Sequence, residues 1–330
     1  MRYAIGALLL ILVLVSAGCV QQLAAENETV KIGVLEPLSG VRAEAGQYVK
    51  NALELALDEI NNDTSRRYRI QLIYEDSQYD PKVAVSGFQK LKDIDNVKFI
   101  IGEHGSSPTL AVAPLAEEAK IILISPAAQA SELSKAGDYI FRTQINVAQE
   151  APFLANFIVS VAKNETLHVI GINTDYTLSF MNSFSPEFER LGRKTGLVEK
   201  FDAKETDFRT ILLKIQNEKP KYVLLLSIPK QAGLIIRQAS ELGMDVTWFA
   251  GSPIEGQEFF TSAGNVSATI IYSYPYDDVS EDTAMKTFRE KYLTKYGVRN
   301  EMLSANAYDT LYIMSNCFEK VGIDVDAVKQ

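Results

Sequence analysis

The chain is expected to fold as an α/β protein in which two doubly wound parallel-sheet lobes are joined by a hinge. Short apolar runs and amphipathic helical stretches alternate along nearly all of it. The alternation pauses at residues 126–137, PAAQASELSKAG, and a second series then begins. The last two helical stretches have no strand between them, which reads as a return of the chain to its first lobe.

The opening unit sets the pattern. Val30, Ile32, Val34 and Leu35 form an apolar run that stops at Pro37, suited to a parallel strand covered on both faces. Beyond the turn PLSG and Gly46, Val49, Leu53, Ala56 and Ile60 recur at helical spacing, with Lys50, Asn51, Glu54 and Asp58 opposite. Strands are then expected at 70–76, 97–102 and 121–125, with helices at 81–92 and 108–119 and a short extended piece at 139–143. In the second series helices at 149–162, 178–194, 208–217 and 231–242 alternate with strands at 167–173, 197–201, 222–227 and 247–250. A strand at 270–274, a polar stretch Tyr276-Asp277-Asp278 and helices at 281–296 and 304–321 follow. One lobe would comprise residues 30–143 and 277–330, the other 144–276.

The segment before Val30 bears on location. Met1-Arg2-Tyr3 gives a positive start, 4–17 is apolar, and Ser16-Ala17-Gly18 precedes Cys19. The run is too short for a comfortable membrane span, which needs about 20 residues. Small residues before a cysteine suit lipoprotein processing, with residues 1–19 as the signal and Cys19 as the lipidated first residue. An ordinary cleaved signal with an incidental cysteine is the other reading, and either places the body outside the cytoplasm. Residues 20–29, VQQLAAENET, lack periodicity and would serve as a tether.

Composition narrows the classes further. With 47% hydrophobic and 23% charged residues the chain is of ordinary globular type. Its net charge is −9, or −10 once Arg2 leaves with the signal, which argues against nucleic acid. Beside Cys19 only Cys317 occurs, so there is no disulfide framework, and Cys317 is expected to be a buried structural thiol. Sequons at Asn27, Asn62, Asn164 and Asn265 allow N-glycosylation where a host has that machinery. No nucleophile elbow, dinucleotide fingerprint, phosphate loop or HExxH motif occurs, so no enzyme, cofactor or metal is expected. The pairs Glu117-Glu118 and Asp277-Asp278 read as solvated faces.

Ligands of open parallel sheets sit beyond the strands' carboxyl ends, where helix N-termini present free N–H groups. Two turns qualify: Glu103-His104-Gly105-Ser106-Ser107-Pro108 after the 97–102 strand, and Pro126-Ala127-Ala128-Gln129 after the 121–125 strand. Gly105 lets backbone approach a ligand, and Ser106 or Ser107 could instead simply cap the helix. His104 could donate to a carboxylate, although a lone histidine is more often structural; His168 has no special claim.

The string IGVLEPLSG with Gly46 and Glu59-Ile60-Asn61, then Tyr74-Glu75-Asp76 with Asp80-Pro81 and Ala84, resembles the branched-chain amino acid (Leu/Ile/Val) binding protein family of ABC importers. Ile101-Gly102 with Ser106-Ser107, Ile124-Ser125-Pro126-Ala127-Ala128, Phe141-Arg142-Thr143, Asp175-Tyr176, Arg237-Gln238-Ala239 with Gly243, and Ala307-Tyr308-Asp309 extend the likeness. It implies a type I periplasmic-binding-protein fold with three hinge strands and a ligand in the interlobe cleft. It places Ser106, Ala127 and Gln129 at contact positions for the α-carboxylate and α-amino group of an amino acid, and Tyr176 on the opposite lobe. The family's acidic partner of the amine aligns with Pro253, and Glu255 is reached by a shift of two positions. Gln129 stands where a threonine is common, Ile228 where a tyrosine often lines the cleft, Ala45 where an aromatic is often found, and Thr177 where glycine is usual. Ala45 admits a larger ligand, so a branched-chain, other hydrophobic or aromatic amino acid, an amide or an aromatic acid are all admissible. The resemblance further implies an ABC permease as partner and membrane attachment through the lipid anchor, with a sensor passing its signal to a membrane receptor as the alternative. The family usually continues past the position of Gln330, so a C-terminal stretch that completes the lobes is expected to be missing.

Overall fold

The computed structural model describes residues 28–330; the signal, Cys19, most of the tether and Asn27 lie outside them. The first lobe is built on β1 (Glu28–Glu36), α1 (Ala43–Asn62), β2 (Tyr68–Asp76), α2 (Pro81–Asp93), β3 (Phe99–Gly102), α3 (Ser106–Ala119), β4 (Ile122–Ser125) and β5 (Ile140–Arg142). The second contains α4 (Val147–Ala162), β6 (Leu167–Ile172), α5 (Asp175–Arg190), β7 (Thr195–Phe201), α6 (Arg209–Asn217), β8 (Tyr222–Leu226), α7 (Pro229–Glu241), β9 (Thr247–Ala250), α8 (Gln257–Ala263) and β10 (Thr269–Tyr272). Then α9 (Thr283–Tyr296), α10 (Met302–Val321) and α11 (Val325–Lys329) return to the first.

Each lobe holds a five-stranded parallel sheet, ordered β2-β1-β3-β4-β5 in the first and β10-β9-β8-β6-β7 in the second. Strand alternation assigns the two faces of the first sheet. Phe99 and Ile101 pack with Val49, Leu53, Ala56 and Ile60 of α1 and with Leu311, Met314 and Phe318 of α10. Ile100, between them, points to Phe88 and Leu91 of α2 and Val112 and Ala116 of α3. Burial of strands on both faces explains why they read as continuous apolar runs. Gly46 lets α1 lie this close, since a Cβ there would stand 2.1 Å from the Pro37 carbonyl oxygen. The second lobe packs Leu224, Leu225, Trp248 and Phe249 against α4, α5 and α7. Along α5, Tyr176, Phe180, Phe184 and Phe188 recur every four residues and their rings lie 5.9, 6.0 and 5.0 Å apart in sequence.

Among the described residues the chain crosses between lobes twice, at residues 143–146 and 273–282, where the resemblance implies three crossings. Helix starts differ from expectation for tertiary reasons. The α5 helix begins at Asp175 rather than 178, because the Ser107 hydroxyl of the other lobe accepts the Asp175 N–H at 3.0 Å. Helix α3 begins at Ser106 rather than 108, with Gly105 at its N-cap, so neither serine caps it. Cys317 is half-buried rather than buried, on the flank of α10. Glu117 is not simply solvated, since its Oε2 accepts the Tyr139 N–H at 3.0 Å, whereas Glu118, Asp277 and Asp278 are exposed.

Candidate functional site

The carboxyl ends of both sheets face one cleft, about 600 Å³ including its opening to solvent. Gly105, Ser106, Ala127, Gln129, Tyr176 and Glu255 all line it. Hydrogen bonds join the lobes around it. Ser107 Oγ accepts from Asp175 N at 3.0 Å, Ser179 Oγ from Ser131 N at 2.8 Å, and Glu44 Oε2 from Glu258 N at 3.0 Å, while Gln129 Nε2 donates to Ser252 Oγ at 3.0 Å. The jaws are shut.

The 126–129 turn differs in chemistry from what its sequence suggests. Ser125 Oγ accepts the N–H groups of Ala127 at 3.3 Å and Ala128 at 2.9 Å, and Ser106 Oγ those of Gln129 at 3.3 Å and Ala130 at 3.1 Å. The expectation that this turn offers free N–H groups to a ligand therefore fails: four successive donors are consumed by two serines. Ser106 keeps its own hydroxyl proton to donate and, at the first turn of α3, a backbone N–H without an intrahelical acceptor. Ala127 contributes wall. Gln129 does not turn its amide nitrogen to the cleft; it donates to Glu150 Oε2 at 3.2 Å and to Ser252.

Glu150, at the start of α4 just past the first crossing, also accepts from Ser252 N at 2.8 Å and from the Ser273 hydroxyl beside the second crossing. It thus ties both crossings to the floor of the cleft. Burial raises its pKa, opposed by these donors. Gly251 is required nearby, because a Cβ there would lie 2.2 Å from the Tyr176 hydroxyl. Tyr176 is 5% exposed and its hydroxyl has no partner among the described residues.

Several lining residues were not singled out from sequence: Arg42, Tyr79, Gln144, Ser252, Tyr274 and Glu301. Arg42 lies in a single 3₁₀ turn, Gly40–Arg42, beyond the carboxyl end of β1, and the rule that found Ser106 also points to this turn. Its Nη2 is 2.9 Å from His104 Nε2, and His104 Nδ1 is 3.2 Å from Glu36 Oε2. An arginine can only donate, so Nε2 is the acceptor and Nδ1 carries the proton toward Glu36. Burial holds this histidine well below its usual pKa, hence neutral. His104 therefore does donate to a carboxylate, but one of the protein. Glu103, pushed up to about 7 by burial, takes the Ser77 hydroxyl and the Gly105 N–H at 2.7 Å.

Pro253 and Glu255 both line the cleft. Glu255 is raised in pKa by burial, is hydrogen-bonded to Tyr274, and has an Oε2 with no partner among the described residues. Tyr274 in turn accepts the Met302 N–H at 3.2 Å, beside Glu301. Glu301 caps α10 reciprocally with Ser304, and burial pushes its carboxyl up to about 8. Among the described residues no cluster of His, Cys, Asp and Glu could hold a metal ion, and no helix is long and apolar enough to cross a membrane.

Two parallel-sheet lobes shut on a cleft of mixed polarity are the architecture of a solute-binding protein. The chain belongs to the periplasmic binding protein family, whose pattern matches residues 29–330. It is 24% identical over 297 residues to a leucine-, isoleucine-, valine-, threonine- and alanine-binding protein of Pseudomonas aeruginosa, covering 89% of this chain and 79% of that one. A leucine-binding protein of Thermotoga maritima superposes with a TM-score of 0.85 at 23% identity, covering 91% of this chain and 86% of the other. A branched-chain amino acid transporter substrate-binding protein of Streptococcus pneumoniae, solved with isoleucine, superposes with a TM-score of 0.83 at 25% identity, covering 92% and 87%.

Proposed function

We propose that the protein captures a small α-amino-acid-like solute between its lobes outside the cytoplasm and delivers it to an ABC importer, tethered through a lipidated Cys19. The observation that carries this reading is the pair of unpartnered buried atoms on the second lobe's wall, Glu255 Oε2 and the Tyr176 hydroxyl. A buried acceptor left unsatisfied costs free energy that an incoming ammonium group recovers. Across the cleft, the Ser106 hydroxyl and the first turn of α3 suit a carboxylate. The moving units would be residues 30–143 with 277–330, against 144–276. Docking on the first lobe followed by closure gives the importer one shape to read, and no bond of the solute is made or broken.

A carboxyl-rich wall favours a ligand that brings an amine over a bare aromatic acid, which would leave Glu255 unpaired. A thermal-shift screen of the chain without residues 1–27, against amino acids, their amides and aromatic acids, tests this. A ligand at 100-fold its Kd adds about 2.7 kcal/mol, on the order of 5 °C in Tm. Shifts from α-amino acids and none from benzoates are expected. Shifts from benzoates alone would refute the ligand class, and no shift from any compound would refute solute capture of this kind.

A further inference from the structure

We propose that Arg42 is the counter-ion of a carboxylate on the captured solute. This rests on the reading of the cleft as an amino-acid-like binding site and names the residue that holds the ligand's negative charge.

Three observations meet here. Arg42 is only 5% exposed and lines the cleft, yet one of the five N–H groups a guanidinium carries is engaged, by the neutral His104 ring. Its Nε is buried with no partner among the described residues. The carboxyls of Glu36, Glu258 and Glu301 are close enough to feel its charge, but among the described residues none bonds to it. A buried cation without a hydrogen-bonded anion is costly, and the Nε–H left unpartnered is a donor that an incoming carboxylate can take. The second observation is the state of the turn after β4, where the four successive N–H groups of residues 127–130 are taken by Ser125 and Ser106 and are withdrawn from anion binding. The third is position: Arg42 hydrogen-bonds His104, two residues before Ser106, so its charge lies beside the α3 terminus that faces the same space. Together the guanidinium and the first turn of α3 replace the donors that the second turn does not supply.

The carboxylate can be the solute's α-carboxylate or one ending its side chain, and the probes separate the two. Calorimetry would compare leucine, leucinamide and glutamate on the wild type and on Arg42→Met, with circular dichroism to confirm folding and Arg42→Lys as a variant that keeps the charge. Loss of a charge-assisted pair is expected to weaken carboxylate binding roughly 10- to 100-fold, with partial retention in Arg42→Lys. A fall for leucine but not leucinamide assigns the α-carboxylate; a fall confined to glutamate, bound more tightly than leucine by the wild type, assigns the side-chain carboxylate. A folded Arg42→Met that binds leucine and glutamate within twofold of wild type overturns the proposal alone. Absence of binding by any of the three to the wild type overturns the amino-acid reading of the cleft and this proposal with it.

Discussion

The Ser107 hydroxyl of one lobe and the Asp175 backbone N–H of the other meet at 3.0 Å, so the first turn of α5 is capped only while the jaws are shut. Ligand affinity includes the free energy of closure, and a cap is worth about 1 kcal/mol. Ser107→Ala is expected to weaken binding roughly fivefold while leaving the melting of an opened, ligand-free protein unchanged. Calorimetry beside thermal denaturation checks this; equal loss in both would make Ser107 an ordinary stabilising residue.

Gly251 has room for a hydrogen and no more, because the Tyr176 hydroxyl fills the space a Cβ would take. Gly251→Ala should destabilise the protein by about 1–3 kcal/mol through overpacking. Tyr176→Phe in the same chain removes the obstructing oxygen and should recover much of that loss. Denaturant titration of the single and double variants decides it, and an unaffected single variant would place Tyr176 elsewhere.

Gln129 was expected to touch the ligand, but its amide nitrogen instead serves Glu150 and Ser252. Gln129→Ala should therefore cost about 1–3 kcal/mol of stability by stripping a donor from a buried carboxyl, without reordering the preference among amino acids. A change of ligand rank at unaltered stability would return Gln129 to the ligand's surroundings.

Burial pushes Glu301 up to about 8 and Glu103 up to about 7, from an ordinary 4.5. The folded state therefore keeps two protons that the unfolded chain releases above about 4.5, and stability falls as pH rises toward 7 to 8. The slope from each is on the order of 1 kcal/mol per pH unit. His104, held neutral by burial, works the other way below its ordinary 6.5, so the informative quantity is a difference between variants. Glu301→Gln, which can still cap α10, should match the wild type near pH 5 and exceed it near pH 8. Parallel curves at both pH values would contradict the raised Glu301.

The fold was legible because parallel strands buried on both faces write their apolar runs directly into sequence, and because α1 carries its stripe at Val49, Leu53, Ala56 and Ile60 without interruption. Helix starts were less legible where the cap comes from far away, as Ser107 does for Asp175. The two turns of the first lobe were found by a topological rule, which says where a loop lies and not where its N–H groups point. Whether Ala127 and Gln129 offer backbone donors depends on Ser125 and Ser106 respectively folding back, a side-chain matter with no local signature. Arg42 was within reach of the same rule. Glu150 was not, since its significance arises only when Gln129, Ser252 and Ser273 converge on it from three separate segments.

The most direct measurement of the central claim, a clamshell that shuts on an amine- and carboxylate-bearing solute, is small-angle X-ray scattering of the chain without residues 1–27, alone and saturated with the amino acid that binds best. The radius of gyration should fall on saturation, and the bound profile should match the shut lobes seen here. An unchanged profile at saturating ligand, or binding with the lobes apart, would contradict the account.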